Sequence, residues 1–211
     1  ENEGATVSNS YSNGSVTGDD YVGGLVGGNK GGIVSNSYST GSVTGSNHVG
    51  GLVAYNHGTV SRSYSTGILG GWWHAGGLVG VNEWGGTVSN SYSSSSVTGE
   101  WQVGGLVGCN QGAVTNSYST GRVSGNSALG GLVGDNVYGT VSNSFWDTRT
   151  SGQGTPDGGT GKTTAEMNNM ATFSGAAWDI CAVNAGQTNL SYIWNIVDGQ
   201  TYPFLSWQSV S

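Results

Sequence analysis

Aromatic rings, carboxylates and imidazoles concentrate at three positions that come just before each Gly-Gly pair of this chain. The five triplets are Asp19-Asp20-Tyr21, Ser46-Asn47-His48, Trp72-Trp73-His74, Glu100-Trp101-Gln102 and Asn126-Ser127-Ala128. Exposed aromatic rings that are grouped in space usually mark a binding surface. Their flat faces suit the C–H faces of sugar rings, and neighbouring carboxylates and amides suit the sugar hydroxyls. These residue types therefore indicate a glycan-binding surface.

The candidate ligand-binding set takes the large and polar side chains of the triplets and adds one ring from elsewhere. It comprises Tyr21, His48, Trp72, Trp73, His74, Trp84, Glu100 and Trp101. Trp84 lies in a segment of variable length that follows each Gly-Gly-Leu-Val motif. The alternative is that these rings pack against the tail of the chain, against one another or against a neighbouring domain. The expected partners are accordingly a polysaccharide or glycan surface and the neighbouring domains of a longer parent protein.

Four carboxylates would be the catalytic candidates if the chain were an enzyme, namely Asp19, Asp20, Glu83 and Glu100. A glycosidase needs two carboxyl groups about 5–9.5 Å apart. Asp20 and Glu100 lie three repeats apart, which in stacked strands is about 14 Å. Asp19 and Asp20 are sequence neighbours, so their side chains diverge. Glu83 lies outside the triplets, in the segment of variable length that follows the Gly-Gly-Leu-Val motif. The sequence leans towards a non-catalytic protein, with a polysaccharide hydrolase or lyase as the alternative.

Two histidines occupy the same place in successive triplets. His48 and His74 would bring their rings to roughly 5 Å if the triplets stack as adjacent strands, close enough to share a metal. No third ligand is evident nearby in the sequence. We therefore predict no metal site and no cofactor. If a metal were bound, His48 and His74 would be its ligands.

The elements that must position these residues form a repeat. Gly-Gly-Leu-Val-Gly begins at Gly23, Gly76, Gly104 and Gly130, and a copy at Gly50 ends in alanine. A second motif, Val-Ser-Asn-Ser-Tyr and its variants, begins at Val7, Val34, Val60, Val88, Val114 and Val141, in steps of 27, 26, 28, 26 and 27 residues. The valine-to-leucine distance within a repeat is always 18 residues, so all length variation falls in one segment. A repeat with one part of constant length and one loop of variable length is typical of a stacked solenoid.

The repeat predicts an all-β fold, a right-handed parallel β-solenoid of five to six coils with about 27 residues each. Period-2 alternation predicts three strands per coil, over 7–12, 15–17 and 22–26 in the first. Each leucine is followed four residues later by asparagine, at Asn29, Asn56, Asn82, Asn110 and Asn136, which predicts a hydrogen-bonded amide ladder. The serines of the second motif, such as Ser8, Ser10 and Ser12, would share one face. Such a hydroxyl array leaves an ice-binding role, or a purely structural spacer, as further alternatives.

The Gly-Leu-Val-Gly core in this setting resembles the GLUG repeat, which is named for that motif. The resemblance covers about residues 1–146, and four of the five copies match fully. Repeats of this kind occur in large secreted or surface-attached bacterial and archaeal proteins, including adhesins and non-catalytic regions of surface proteases. The resemblance therefore implies an extracellular repeat module for adhesion or spacing, and it implies no catalytic residues.

Past Trp146 the period ends, so we divide the chain into a solenoid, 1–146, and a C-terminal capping region, 147–211. Thr163 to Glu166 fits a capping box that opens a short helix through about Phe173. The stretch from Ile193 to Leu205 has the pattern of a hairpin. Cys109 and Cys181 would form a disulfide between solenoid and cap or remain two free thiols.

Charge and hydropathy each exclude one class of partner. The chain has 12 acidic against 5 basic residues and a net charge of −7, so it lacks the basic stripe that nucleic acid requires. It contains no run of 18 apolar residues, and we predict no membrane insertion. Abundant Ser, Thr, Asn and Gly suit a secreted or surface-attached fragment of a longer protein.

Overall fold

A computed structural model of the protein describes residues 1–155 and 157–208. The fold is a parallel β-solenoid of about five coils, followed by a small mixed sheet. Each coil passes through four sheets in the same order, and equivalent residues of successive coils pair in register. We name these the long, tyrosine, threonine and corner sheets.

The strands divide among the sheets as follows. The long sheet contains Asn2–Glu3, Thr6–Ser8, Val26–Ser35, Val53–Ser61, Val79–Asn82, Thr87–Ser89, Val107–Asn110, Ala113–Thr115, Val133–Asn136 and Thr140–Ser142. The tyrosine sheet contains Tyr11–Ser12, Tyr38–Ser39, Tyr64–Ser65, Tyr92–Ser93, Tyr118–Ser119, Phe145–Asp147 and Thr160–Lys162. The threonine sheet contains Val16–Thr17, Val43–Thr44, Ile68–Gly70, Ser96–Thr98 and Val123–Ser124. The corner sheet contains Asp20–Gly23, Asn47–Gly50, Trp73–Gly76, Trp101–Gly104 and Ser127–Gly130.

The predicted division into three strands per coil is wrong, because two of the predicted strands are broken. The stretch 7–12 turns at Asn9, whose φ of 50° is left-handed, and Asn36, Asn90, Asn116 and Asn143 repeat this turn in later coils. Asparagine adopts that conformation more readily than most residues. The stretch 22–26 turns at the Gly-Gly pair, between the corner and long sheets.

Glycine is required at these pairs because consecutive coils meet there without room for a side chain. A Cβ atom on Gly51 would lie 2.0 Å from the carbonyl oxygen of Gly77. A Cβ atom on Gly24 would lie 2.3 Å from Oγ of Ser39 in the tyrosine sheet. The close contact lets the leucines and valines that follow each pair fill one continuous core, built from Leu52, Leu78, Leu106, Val53, Val79, Val107 and their equivalents.

The same contact overturns the predicted serine array. In coils two to five, the second and third serines of the repeated motif point inward and are buried, at Ser37, Ser39, Ser63, Ser65, Ser91, Ser93, Ser117 and Ser119. Ser65 Oγ, for example, donates to the carbonyl of Gly77. The left-handed turn at the preceding residue, asparagine in most coils and Arg62 in the third, redirects these side chains, so these serines do not form the exposed array that the sequence predicted.

The predicted asparagine ladder is confirmed. Nδ2 of each asparagine donates to Oδ1 of the next over 2.8 Å, from Asn29 through Asn56, Asn82 and Asn110 to Asn136. Asn2 extends the ladder at its start, with an Nδ2–Oδ1 distance of 2.7 Å to Asn29. The side chains of Asn29, Asn56, Asn82 and Asn110 are completely buried. A buried amide chain of this kind fixes the register, because a shifted coil would leave its polar groups unpaired.

The tail closes the end of the core and then folds back along the flank of the solenoid. Trp146 belongs to the central core cluster and packs against Gly131. The helices Thr148–Ser151, Thr164–Met167 and Met170–Ser174 precede the sheet Ile180–Ala182, Trp194–Ile196 and Phe204–Leu205. Trp178, Trp194 and Phe173 of this region pack around Tyr118, and Trp207 Nε1 donates to the carbonyl of Arg62 over 3.1 Å. Much of the tail therefore covers the tyrosine sheet.

The sequence-based view of this tail is partly correct. The capping box at Thr163 is present, and the strands Trp194–Ile196 and Phe204–Leu205 pair antiparallel as predicted. The predicted helix through Phe173 is interrupted at Asn168 and Asn169, where Asn169 caps a second helix. None of the helices within residues 1–155 and 157–208 has the length and hydropathy needed to cross a membrane.

We expect Asn82→Ala to lower the free energy of unfolding by about 2–3 kcal/mol, because it strands the Asn110 Oδ1 acceptor and weakens the contacts of the Asn56 donor. Asn136→Ala is the matched control, since Asn136 ends the ladder and is only half-buried. We expect it to cost about 1 kcal/mol. Urea unfolding of both variants measures the difference, and equal small losses would contradict the structural role of the ladder.

Candidate functional site

Two columns of side chains run along the outside of the corner sheet. The outer column is formed by Asp20, Asn47, Trp73, Trp101 and Ser127, which pair in register. The inner column is formed by Tyr21, His48, His74, Gln102 and Ala128, whose φ angles of 55°, 52°, 52°, 55° and 51° are all left-handed. This left-handed residue interrupts the alternation of each strand, so two adjacent side chains face outward while the next one, such as Ala75, is buried.

The inner column is a stack of rings. Tyr21 and His48 have ring centroids 4.6 Å apart at an interplanar angle of 6°, and His48 and His74 have centroids 4.8 Å apart at 24°. The Nδ1 atoms of both histidines are buried without a hydrogen-bond partner among the described residues. Burial lowers the pKa of His48, and burial together with the nearby His48 lowers the pKa of His74 to about 4. Both imidazoles are therefore neutral near pH 7.

The stacked histidines do not form a recognisable metal site. Within residues 1–155 and 157–208, no cluster of three or more His, Cys, Asp or Glu side chains is placed to hold a metal ion. Two imidazoles stacked face to face also do not direct their nitrogen lone pairs at a common point.

The outer column brings two indoles together. Trp73 and Trp101 have ring centroids 5.7 Å apart at an angle of 13°, and their side chains are 44% and 47% exposed. Each ring therefore covers one face of the other. The far face of Trp101 lies over Ser127, whose small side chain leaves it open. Trp72 is the adjacent residue and is 67% exposed.

Three of the four candidate carboxylates accept hydrogen bonds from amide or phenol groups. Asn47 Nδ2 donates to Asp20 over 2.6 Å, Asn126 Nδ2 donates to Glu100, and the Tyr55 hydroxyl donates to Glu83. The main-chain carbonyl of Asp19 accepts from the amide of Ser46 over 2.8 Å. The three side-chain hydrogen bonds place the carboxylates of Asp20, Glu100 and Glu83 against residues of neighbouring coils.

Sequence reasoning left Tyr55, Asn126 and Asp135 out of the candidate set. Asp135 accepts a hydrogen bond from Gln102 Nε2 of the inner column. Tyr55 and Asp135 both lie three residues after the leucine of their repeat, in a column that pairs in register. Alignment of the repeats by that leucine is the signal that could have found them.

Trp84 takes no part in the corner stacks. It lies in the connection between two strands of the long sheet, where its ring stacks on Tyr138 with a centroid distance of 6.0 Å and an angle of 22°. These two rings are 55% and 82% exposed and form a second aromatic patch.

The disulfide that the sequence left open is not formed. Cys109 is buried in the long sheet, Cys181 lies in the tail sheet, and both thiols are free. Burial, together with Asp135 and Glu83, raises the pKa of Cys109 to about 11. Cys181 instead lies beside Asp179 and Asn195 of the tail, in a different part of the fold.

Comparison with known protein families identifies three of the repeats in this chain. The model of the GLUG motif matches residues 18–44, 73–98 and 99–124. The chain contains GLUG repeats. Its matched repeats each begin within or just before a strand of the corner sheet, so the GLUG array carries Asp20, Trp73 and Trp101 at equivalent places. A comparison with curated proteins and one with solved structures each found no match.

We expect the stability of the protein to fall more steeply than that of His74→Gln as the pH drops from about 6.5 to about 4. The folded-state pKa of His74 is depressed, so in this window the unfolded chain binds a proton that the folded chain does not. Glutamine suits the position, because Gln102 occupies it in the next coil.

Thermal unfolding from pH 7 to pH 4 measures this slope. His57→Gln is the control, because it removes an exposed histidine outside the stack. Parallel stability curves for the wild-type protein and His74→Gln would contradict the effect of burial on His74.

Proposed function

We propose that this GLUG array is a non-catalytic extracellular module for adhesion and spacing, and that it binds glycans through its corner sheet. The observation that carries the proposal is the pair Trp73 and Trp101, two indoles that are nearly half exposed at the surface of a rigid rod. A monomeric protein gains nothing in stability from leaving such large rings in water, so grouped exposed rings favour a binding role.

The surroundings of the two indoles suit a sugar ring. The open face of Trp101 offers an apolar platform for the C–H face of a pyranose, next to the Glu100 carboxylate and the Asn126 amide. At the other end of the pair, the far face of Trp73 lies over Asn47, which is bonded to Asp20. Each platform therefore has an acceptor and an amide at its edge, and these are the groups that orient sugar hydroxyls.

The scaffold supports recognition without rearrangement. The corner strands are tied to their neighbours on both sides, and the residues under them, Val49, Ala75 and Val103, are completely buried. A surface held in this way loses little conformational entropy when a ligand binds, which favours affinity. Charge adds a limit on the ligand, because a chain of net charge −7 repels polyanions.

The alternative to a binding module is a polysaccharide hydrolase or lyase, which would bind the same kind of ligand. It would need two of Asp19, Asp20, Glu83 and Glu100 at catalytic separation. Asp20 is in register with Trp101 across three coil steps, which corresponds to about 14 Å between the levels of Asp20 and Glu100. The geometry therefore favours binding over catalysis, and a purely structural spacer is the third alternative.

We expect the double variant Trp73→Ala/Trp101→Ala to bind insoluble polysaccharides about tenfold or more weakly than the wild-type protein, because it removes both platforms. Ile68→Ala is the matched control, since Ile68 is an apolar side chain of the same coil that is 70% exposed on the threonine sheet. Pull-down on cellulose, xylan, chitin and mannan measures retention, and circular dichroism verifies that the variants fold.

The release of soluble reducing sugar in the same incubation separates the alternatives. Retention without release supports the binding module. Release that is lost on substitution of Glu100 or Asp20 would establish an enzyme instead. Absence of both retention and release across the panel would leave the spacer and contradict the proposal.

A further inference from the structure

One column of the long sheet has a gap at the level of a single residue. Gly28, Tyr55, Val81, Cys109 and Asp135 pair in register along this column. Because Asn2 pairs with Asn29, Glu1 lies one level above Gly28. A Cβ atom on Gly28 would meet Cγ and Oε1 of Glu1 at 3.7 Å and no atom closer. Gly28 therefore leaves an open level between Glu1 and Tyr55.

The gap is part of a cavity of about 480 Å³ beside the first coil. Its walls are Glu1, Tyr21, Gly27, Gly28, Lys30 and Tyr55. The rings of Tyr21 and Tyr55 meet nearly at right angles, with an interplanar angle of 81° and centroids 5.8 Å apart. Glycine main chain forms the back of the cavity, and an ion pair between Lys30 and Glu1 lies at its rim. We name this cavity the Gly28 slot.

The spacing of the rod shows what fits into the slot. The tyrosines of the tyrosine sheet stack on successive coils with ring centroids 4.9 to 5.2 Å apart, as in Tyr38–Tyr64 and Tyr11–Tyr38. A ring at the level of Gly28 would lie one such step above Tyr55, against the edge of its ring, because that ring stands at 81° to Tyr21. The levels of Glu1 and Tyr55 are two coil steps apart, about 9.6 Å, so one ring fills the slot and two do not.

We propose that the Gly28 slot is a second carbohydrate subsite that takes one uncharged pyranose ring, packed against Tyr21 and Tyr55. This inference rests on the proposed glycan-binding function and deepens it. The groups around the slot favour a sugar over an aromatic side chain, because they are polar along its edge. Glu1, Lys30 and the Tyr55 hydroxyl with its Glu83 partner can each make a further hydrogen bond to a sugar hydroxyl, which a phenyl ring cannot offer.

Charge selects an uncharged sugar. The positive charge of Lys30 is matched by Glu1, and Glu83 adds a second carboxylate beside Tyr55. An acidic sugar would therefore meet more negative than positive charge beside the slot.

The slot is joined to the two indoles by a continuous aromatic wall. Tyr21, which lines the slot, begins the inner stack that continues through His48 to His74. His74 lies 6.3 Å from Trp73, measured between ring centroids. One oligosaccharide lying along the rod can therefore occupy the slot and the indole platforms together, and engaging both raises its affinity above that of either alone.

Gly28→Leu tests the slot, because the new side chain fills it. The position accepts a side chain, since Gly28 is not left-handed and the added Cβ makes only ordinary contacts. Gly14→Leu is the matched control, as nothing lies within 4 Å of a Cβ atom there. Both variants and Trp73→Ala/Trp101→Ala are titrated calorimetrically with hexasaccharides of cellulose, xylan, chitin and mannan. Proteins labelled with 3-fluorotyrosine report contact at Tyr21 and Tyr55 by ¹⁹F NMR.

We expect Gly28→Leu to weaken binding of the best hexasaccharide about tenfold, and Gly14→Leu to stay within about twofold of the wild-type protein. In Trp73→Ala/Trp101→Ala, the same sugar still shifts the Tyr21 and Tyr55 signals. Wild-type affinity in Gly28→Leu, with affinity lost in the tryptophan variant, overturns the slot and keeps the glycan-binding function. Failure of the wild-type protein to bind any of the four sugars overturns both. A shift of Tyr21 and Tyr55 by phenol but by no sugar assigns the slot to an aromatic side chain and overturns the proposal.

Discussion

The rest of the structure depends on the close approach of consecutive coils at the Gly-Gly pairs. A single added carbon on Gly51 would lie 2.0 Å from the carbonyl oxygen of Gly77, so any other residue would force the coils apart. Contact at this corner lets the main chains pair in all four sheets and brings the leucines and valines of successive coils into one core. The buried asparagine amides then fix one register, because any slip would leave them unpaired. The ring stacks follow from that register.

The sequence predicted the solenoid, its repeat length and the asparagine ladder, because these features follow from spacing alone. It did not predict the left-handed turn at Asn9 and its equivalents, since a period-2 pattern continues through that residue without a visible break. That one error placed the serines on the outside, although Ser37 and Ser39 are buried. The return of the tail along the tyrosine sheet depends on contacts such as Trp207 with Arg62, 145 residues apart, which no local pattern encodes.

The candidate site was predictable by residue but not by geometry. Register alone places Trp73 above Trp101 and His48 above His74. The left-handed backbone of the inner column decides that both columns face outward, and its residues, which include Tyr21, Gln102 and Ala128, share no type that signals this conformation. It follows that the indoles stack on each other and offer only their outer faces to a ligand. The open level at Gly28 likewise becomes visible only once the column of Tyr55 and Asp135 is aligned.

The central claim is that the coils stack in one register along one axis, and a distance between spin labels tests it most directly. Thr17 and Ser124 are exposed or half-buried on the threonine sheet and are linked by four in-register steps, through Thr44, Gly70 and Thr98. Cys109→Val and Cys181→Ser provide a background free of native thiols, and valine suits the first position because Val81 occupies it in the preceding coil. Double electron–electron resonance between labels at Thr17→Cys and Ser124→Cys should give one narrow distance near 19 Å, about four coil steps. A broad distribution, or a distance several coil steps longer, would contradict the stacked register.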